Sequence, residues 1–200
     1  MTSITYPIVE TFHSLQGEGS WAGVSAFFIR LGGCDVHCSF CDTKNSWKAE
    51  AHPQVSIDRL LQEAKQVNPR IVVITGGEPL LHNLEPLTTA FHQHNFPIHL
   101  ETSGAHPLTG QFDWLTLSPK TFLPPQASIY TQAQELKVVV QSDRDLEWAE
   151  QVASKVNSST LLYLQPEWFT PESKALVINY ILHNPKWRLS IQSHKYLGIN

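Results

Sequence analysis

Blocks of basic residues are missing from this chain of 200 residues, and cysteine is scarce. There are 14 Lys and Arg residues against 18 Asp and Glu, which gives a net charge of −4 and a pI near 6.2. This balance gives no electrostatic reason to expect nucleic acid or a membrane surface as a partner. We therefore expect neither.

Export signals, membrane spans and repeats are also lacking. The N-terminal sequence MTSITYPIVE has neither a basic segment nor an apolar core, so it does not resemble a secretory signal. The longest apolar runs, such as LKVVV and RIVVI, are far shorter than the roughly 18 residues of a membrane helix. Hydrophobic residues make up 42% of the chain. We expect one globular domain, residues 1–200, in the cytoplasm.

Apolar segments rich in β-branched residues alternate with segments of helical periodicity. Strands are predicted at residues 25–31, 70–75, 97–102, 112–118, 135–140, 160–166 and 187–192. Helices are predicted at residues 57–67, with Ser56 as N-cap, at 84–94 and 143–154, and at 171–182, with Pro171 in the first turn. This order indicates an α/β fold with a mainly parallel sheet. A complete eight-unit barrel takes about 250 residues. With fewer helices than strands, the chain is expected to form an incomplete, trimmed barrel.

Polar or glycine-rich loops follow the predicted strands. They read GGCDVHC, GGEP, ETSG, SPK and QP in chain order. Because ligands of parallel α/β folds bind where the carboxyl ends of the strands converge, these loops are expected to share one rim. Their convergence marks the predicted active site.

All three cysteines, Cys34, Cys38 and Cys41, lie within eight positions in a C-x3-C-x2-C pattern. Three thiols cannot all pair within one chain, and the flanking glycines favour a loop over a helix. Three thiolates on a four-iron cluster leave one iron free to chelate the amine and carboxylate of a molecule such as S-adenosylmethionine (SAM). Zinc stays open as an alternative: His37 is poorly placed to complete its four ligands, but His13 or His52 could fold back. Unligated thiols are the remaining alternative.

Two resemblances follow from these motifs. The C-x3-C-x2-C pattern with Phe40 before its last cysteine, followed by GGEP at residues 76–79, resembles the radical SAM superfamily. The sequence ETFHSLQGEGSWAGVSAFFIRLGGCDVHCSFCDT at residues 10–43, together with ETSG, SPK, LQP and the terminal IQSHKYLGI, resembles the 7-carboxy-7-deazaguanine synthase family. This resemblance covers nearly the whole chain. It implies conversion of 6-carboxy-5,6,7,8-tetrahydropterin to 7-carboxy-7-deazaguanine with loss of ammonia, using a 4Fe-4S cluster, SAM and Mg²⁺.

The resemblance also assigns site residues. It implies Cys34, Cys38 and Cys41 as cluster ligands and Thr43 as the magnesium contact. Expected SAM contacts are Phe40, Gly76, Gly77, Glu78, Ser103, Ser118 and Lys120. Expected substrate contacts are Gln16, Glu18, Arg30, Thr75, Glu101, Gln165 and His194. Arg30 suits a carboxylate because its guanidinium binds in a fork, and Glu101 can accept from the guanidine-like N–H groups of a pterin.

Simpler interpretations stay open for several of these residues. Glu78 could be an acid at a helix N-terminus, Phe40 a core aromatic, and Arg30 a surface residue on an edge strand. The HQH motif at residues 92–94 is interpreted as a solvated helix end.

Two other functions also stay open. One is an activating enzyme that installs a glycyl radical on a partner protein, and the other is a zinc-stabilised interaction module. For the main interpretation we expect a pterin substrate, an electron donor such as flavodoxin or ferredoxin, and a homodimer.

Overall fold

The computed structural model describes residues 4–200, in which the strands form one sheet of nine. The strands are β1 (Thr5–Leu15), β2 (Ser25–Leu31), β3 (Gln54–Ser56), β4 (Ile71–Gly76), β5 (Ile98–Thr102), β6 (Trp114–Leu117), β7 (Glu135–Val140), β8 (Leu161–Pro166) and β9 (Trp187–Leu189). Their order across the sheet is β3-β1-β2-β4-β5-β6-β7-β8-β9. None of the helices in residues 4–200 is both long enough and apolar enough to span a bilayer.

The sheet is parallel from β2 to β9 and antiparallel at one edge, where β1 pairs with both β2 and β3. Strands β3 and β9 stand at the two ends of the order, so the sheet does not close on itself. The predicted trimmed barrel with a mainly parallel sheet is confirmed.

Helices cover the outer face of the sheet. Within residues 4–200 they are α1 (Ile57–Val67), α2 (Glu85–Gln93), α3 (Ala127–Tyr130), α4 (Asp143–Ala153), α5 (Pro171–His183) and α6 (Ser193–Leu197). Ser56 caps α1 as predicted, because its side chain accepts a hydrogen bond from the Arg59 amide. Pro171 occupies the first turn of α5, also as predicted. Six helices against nine strands match the expected shortage of helices.

The two faces of the sheet differ in polarity because side chains alternate along each strand. On β7, Leu136 and Val138 join the main apolar core beneath the helices. Glu135 and Lys137 point the other way and are nevertheless buried. The concave face of the open barrel therefore presents polar groups, and this face carries the site.

Four elements were not predicted from the sequence: β1, β3, α3 and α6. β1 carries exposed and half-buried residues over most of its length, so it lacks a continuous apolar run. β3, α3 and α6 span three to five residues each, too few for a periodicity to register. The predicted last strand is shorter than expected: β9 ends at Leu189, and the hydroxyl of the next residue, Ser190, donates to Gln165.

Candidate active site

A cavity of about 560 Å³ opens on the concave side of the sheet. Its walls come from the loops after β2, β4, β5, β6 and β8, which is the convergence predicted from the parallel topology. Every predicted site residue lines this one cavity, from Gln16 near the N-terminus to His194 near the C-terminus. Residues that are up to 178 positions apart in sequence are thus brought together.

The three cysteines lie on a loop without helix or strand, as the flanking glycines indicated. The loop is pinned at its start, where the Gly33 amide donates to the Ser46 carbonyl and the Cys34 amide to the Trp47 carbonyl. Gly33 has a φ of 102°, which glycine adopts without strain. All three thiols are free and half-buried.

The GGEP turn packs directly against the cysteine loop. A Cβ on Gly77 would lie 2.1 Å from the Gly33 carbonyl oxygen and 2.9 Å from the Cys34 Cβ. The amide of Glu78 donates to that same Gly33 carbonyl. Only glycine at position 77 therefore permits this approach of the two loops.

The three thiols are of the ligand type that iron-sulfur clusters use. In residues 4–200, no three His, Cys, Asp or Glu side chains converge tightly enough to hold one metal ion. Cubane clusters place each thiolate on a different iron, so they do not require such convergence, and thiolate is their usual ligand. The two histidines considered as zinc ligands bind elsewhere: His13 contacts the Ser25 hydroxyl, and His52 the Asn45 carbonyl.

Glu78 connects the GGEP turn to the ETSG segment. Its buried carboxylate accepts hydrogen bonds from the Thr102 hydroxyl and from both the amide and the hydroxyl of Ser103. It also accepts from the Leu80 amide at the start of a short 3-10 helix. The alternative interpretation of this acid as a helix-terminal residue therefore describes one of its four contacts, and the other three fix the neighbouring loop.

The SPK segment places Lys120 beside the cysteine loop. Its ammonium donates to the Ser118 carbonyl at 2.7 Å and to the Ser118 hydroxyl at 2.8 Å, and it lies 5.9 Å from the centre of the Phe40 ring. Burial lowers the pKa of Lys120. Phe40 lines the cavity beside this ammonium, as the interpretation of a cofactor contact requires.

Arg30 and Thr75 are cross-strand neighbours in the β2–β4 pairing and both line the cavity. The Arg30 Nε donates to Glu10 Oε1 at 2.7 Å, and its guanidinium lies 5.7 Å from the centre of the Phe12 ring. β2 lies inside the sheet between β1 and β4. The alternative of an edge-strand surface Arg is therefore wrong.

A network of buried charges forms the deep part of the cavity. The Lys137 ammonium is hydrogen-bonded to Glu18 Oε2 and lies 3.9 Å from Glu101 Oε2. Burial alone would lower the pKa of Lys137, but Glu101, Glu18 and Glu135 outweigh it and raise that pKa. Burial also raises the pKa of Glu135. Lys137 was not among the predicted site residues, although a lysine inside the apolar ELKVVV strand was a detectable signal.

The loop after β1 reaches this network from another direction. Leu15 pairs with Ser25 at the start of β2, so the loop leaves from the end of the sheet opposite the cysteine loop. Along it, Gln16 donates to Glu101, and the Ser20 amide donates to Glu135. The QGEG motif thus fills the gap of the open barrel.

Helix α6 borders the cavity mouth. The amide and hydroxyl of Ser193 donate to the Gly17 carbonyl, and Lys195 donates to Asp42 Oδ2 at 2.9 Å. Burial lowers the pKa of His194. Other cavity residues that the sequence did not single out include Glu10, Phe12, Glu167, Trp168 and Gln192.

An open, mainly parallel βα barrel with a C-x3-C-x2-C loop against a Gly-Gly-Glu-Pro turn defines a radical SAM enzyme. Residues 28–125 match the family model described as "Radical SAM superfamily". A 7-carboxy-7-deazaguanine synthase from Synechocystis sp. is 55% identical over 100% of this chain and 96% of its own. One from Flavobacterium psychrophilum is 45% identical over 96% and 92%. The crystal structure of QueE from Escherichia coli superposes with a TM-score of 0.85 at 33% identity, covering 95% of each chain.

The chain belongs to the 7-carboxy-7-deazaguanine synthase family. Membership of the radical SAM superfamily implies a 4Fe-4S cluster, SAM and a source of electrons, and membership of the synthase family implies a small-molecule substrate. Neither an activating enzyme for glycyl radicals nor a zinc-stabilised module corresponds to these relatives. Both alternatives are therefore set aside.

Proposed function

We propose that this chain converts 6-carboxy-5,6,7,8-tetrahydropterin to 7-carboxy-7-deazaguanine with loss of ammonia, a step towards 7-deazapurine nucleosides such as queuosine. The observation that carries the proposal is the single cavity, which gathers the cysteine loop, the GGEP turn and every expected pterin contact. Identity of 55% to a synthase of that name over the whole chain supports it.

Three of the chain's groups would hold the cluster, namely the thiols of Cys34, Cys38 and Cys41. When bound, the cluster and SAM supply the 5′-deoxyadenosyl radical that removes a hydrogen atom from the substrate. Gly76 and Gly77 leave room for SAM beside the cysteine loop, and Lys120 with Phe40 forms the adjoining wall. The cavity would shield the reactive species from water once SAM and the substrate fill it.

The charged groups on the concave face of the sheet would orient the substrate. Arg30 offers a guanidinium to the pterin carboxylate. Glu101 offers a carboxylate to the N–H groups of the pyrimidinone ring. Its charge is opposite to that of Arg30, and its strand β5 is separated from the strand of Arg30, β2, by β4 alone. The two groups therefore fix the two ends of the substrate.

Magnesium, at Thr43, belongs to this proposal. Thr43 Oγ1 lies 3.9 Å from Cys41 Sγ and 3.4 Å from Asp42 Oδ1, at the cavity wall. A hydroxyl and a substrate carboxylate are oxygen ligands of the kind that Mg²⁺ prefers, with water completing its shell.

Further expectations about the whole protein remain proposals. One continuous sheet from Thr5 to Leu189 supports a single domain for residues 1–200. We also propose a homodimer, a flavodoxin or ferredoxin as electron donor, and a cytoplasmic location.

An anaerobic assay tests the function. The protein is reconstituted with iron and sulfide, reduced, and given SAM and 6-carboxy-5,6,7,8-tetrahydropterin, with and without Mg²⁺. We expect 7-carboxy-7-deazaguanine and ammonia, detected by mass spectrometry and a coupled ammonia assay. Formation of 5′-deoxyadenosine without the deazaguanine would keep the superfamily assignment and reject this substrate.

A further inference from the structure

The two carboxylates beside Lys137, those of Glu18 and Glu101, differ in how many hydrogen bonds they already accept. Glu18 is nearly saturated: Oε2 accepts from Lys137, and Oε1 accepts from Gln165 at 3.2 Å and from Gln192 at 2.9 Å. An ionised carboxylate accepts about four hydrogen bonds. Glu18 therefore has little capacity left for a ligand.

Glu101 is the carboxylate with free capacity. Its Oε1 accepts one bond from Gln16 at 2.8 Å, and its Oε2 lies 3.9 Å from Lys137, beyond hydrogen-bond distance. The Glu101 side chain is 25% exposed, against 14% for Glu18 and 5% for Lys137. The remaining acceptor sites of Glu101 are thus the ones that a bound molecule can reach.

Lys137 connects the two acids. β5 carries Glu101, β7 carries Lys137, and the loop after β1 carries Glu18, so the ammonium is the group that joins three separate parts of the chain. Burial raises the pKa of Glu18, but Lys137 outweighs it and the net pKa is lowered. Without the ammonium, Glu18 would lose the hydrogen bond at Oε2 and Glu101 the cation beside it, so the contact that fixes the two carboxylates relative to each other would be lost.

Displacement of Glu101 would change what the cavity recognises. The pyrimidinone edge of a pterin carries two N–H donors, at the 2-amino group and at N3, which match the two oxygens of a carboxylate. An ionised carboxylate only accepts, so it also rejects a ring that carries an oxygen in place of the 2-amino group.

We propose that Lys137 is a positioning residue for the substrate: through its shared contacts with Glu18 and Glu101, it holds the Glu101 carboxylate in place as the acceptor for the 2-amino and N3 hydrogens of the pterin. This inference rests on the proposed function and adds a residue to its site. The ammonium itself does not need to touch the substrate.

The test compares two ligands on the reconstituted holoenzyme with SAM. The ligands are 6-carboxypterin and 6-carboxylumazine, which differ only in having an amino group or an oxygen at position 2, and their fluorescence reports binding. In Lys137→Met we expect binding of 6-carboxypterin to weaken about ten- to a hundredfold, because charged hydrogen bonds are lost. The preference for 6-carboxypterin over 6-carboxylumazine should fall at least about tenfold, because the acceptor is no longer held in place.

Two controls separate positioning from folding. Lys155→Met makes the same change at an exposed lysine and should leave both affinities unaltered. Iron content of the reconstituted Lys137→Met protein should stay within about twofold of that of the unmodified protein, because Lys137 is not among the cluster ligands. Unchanged affinity and preference in a folded Lys137→Met protein overturn the inference.

A second variant serves as the test if Lys137→Met does not fold. Glu18→Gln/Lys137→Met removes both partners of the ion pair and leaves neither of them as an unpaired buried charge, so it is expected to fold. It should still bind 6-carboxypterin weakly and discriminate poorly. If this variant binds with full affinity and preference, Lys137 only stabilises the fold and the inference is wrong. If the unmodified holoenzyme neither binds 6-carboxypterin nor forms the deazaguanine, the proposed function fails instead.

Discussion

The side chains around the cavity are of two kinds: some use their hydrogen-bonding groups to hold the protein together, and others keep such groups available to a ligand. Glu78 belongs to the first kind, since four protein donors surround its carboxylate. Arg30 belongs to the second kind, because Glu10 binds the Nε of its guanidinium on one side and the side chain also borders the cavity. We therefore expect Glu78 to act on SAM through the shape of the GGEP turn, and Arg30 to act on the substrate directly.

Glu78→Gln tests the structural role of this carboxylate. An amide N–H₂ would face the donors of Thr102 or Ser103, so at least one buried hydrogen bond is lost and another donor is left unpaired. We expect the free energy of unfolding in urea to fall by about 2–3 kcal/mol. Glu147→Gln, at an exposed position of α4, serves as the control and should change it by less than about 0.5 kcal/mol. Equal stability of the two variants would contradict the assignment.

Arg30→Ala tests the role of a side chain that is available to the substrate. Removing a forked, charged contact to the pterin carboxylate should raise the substrate KM about ten- to a hundredfold. Iron content and cleavage of SAM without substrate should remain near normal. Arg144→Ala, at an exposed position on α4, is the control for the loss of an arginine. Loss of the cluster in Arg30→Ala would instead show that Arg30 supports the cysteine loop.

At the scale of elements, the short helix α6 links the cysteine loop to the buried charge network. None of its residues is buried, so it adds little to the core. Its position depends on contacts with Gly17 and Asp42, and it brings His194 to the cavity. A short element with few apolar contacts can thus matter more for the site than for stability.

Lys195→Met tests this link. The lysine bridges Asp42 on the cysteine loop and Gln192 before α6, at 2.9 and 3.0 Å. Because the ion pair is partly exposed, the free energy of unfolding should fall by less than about 1 kcal/mol. The substrate KM should nevertheless rise about three- to tenfold as α6 loses its position.

The matched control is Lys174→Met. Lys174 lies over the Trp168 ring, as Lys195 does, but it has no carboxylate partner among the ion pairs found in residues 4–200. It should leave both quantities unchanged. A KM in Lys195→Met equal to that of the control would mean that the Asp42 bridge does not position α6.

For the whole molecule, the open barrel is filled by layers of different polarity. Below the charged cavity, His99 packs edge-on against Trp21 at 4.6 Å between ring centres and stacks on Trp114 at 6.2 Å. Burial is the main reason that the pKa of His99 falls to about 4, and Asp113 opposes the effect. A neutral histidine is therefore part of the folded state.

This histidine makes stability depend on pH. The folded pKa of about 4 lies below the unfolded value of 6.5, so the unfolded chain binds the extra proton between these values. Stability must then fall as pH drops through 6.5, and the loss ends near pH 4. Between pH 7 and pH 5 we expect this residue to cost about 2 kcal/mol of unfolding free energy, measured in urea. His99→Phe should lack this component, whereas His183→Phe, at an exposed helix end, should retain it.

Particular elements show how much of the fold could be predicted. The bounds of β2, α1 and β7 match the prediction to the residue, because each is a run of strong periodicity between clear breaks. Thr43 and Arg30 could be placed at one site, since they flank the cysteine motif in sequence. Lys137 could not be given a partner, because Glu18 is 119 positions away and reaches it only through the loop that fills the open barrel.

The amino-acid order by itself determined the alternating strands and helices, the cysteine loop, the glycine turn and the family, since these depend on local patterns and adjacent residues. Only the tertiary structure decided which charges meet. The incomplete sheet leaves a gap, the loop after β1 enters it from the far end, and the buried ammonium of Lys137 pairs there with Glu18 and lies beside Glu101. Such pairing depends on distance in space and low polarity, which have no counterpart in sequence spacing.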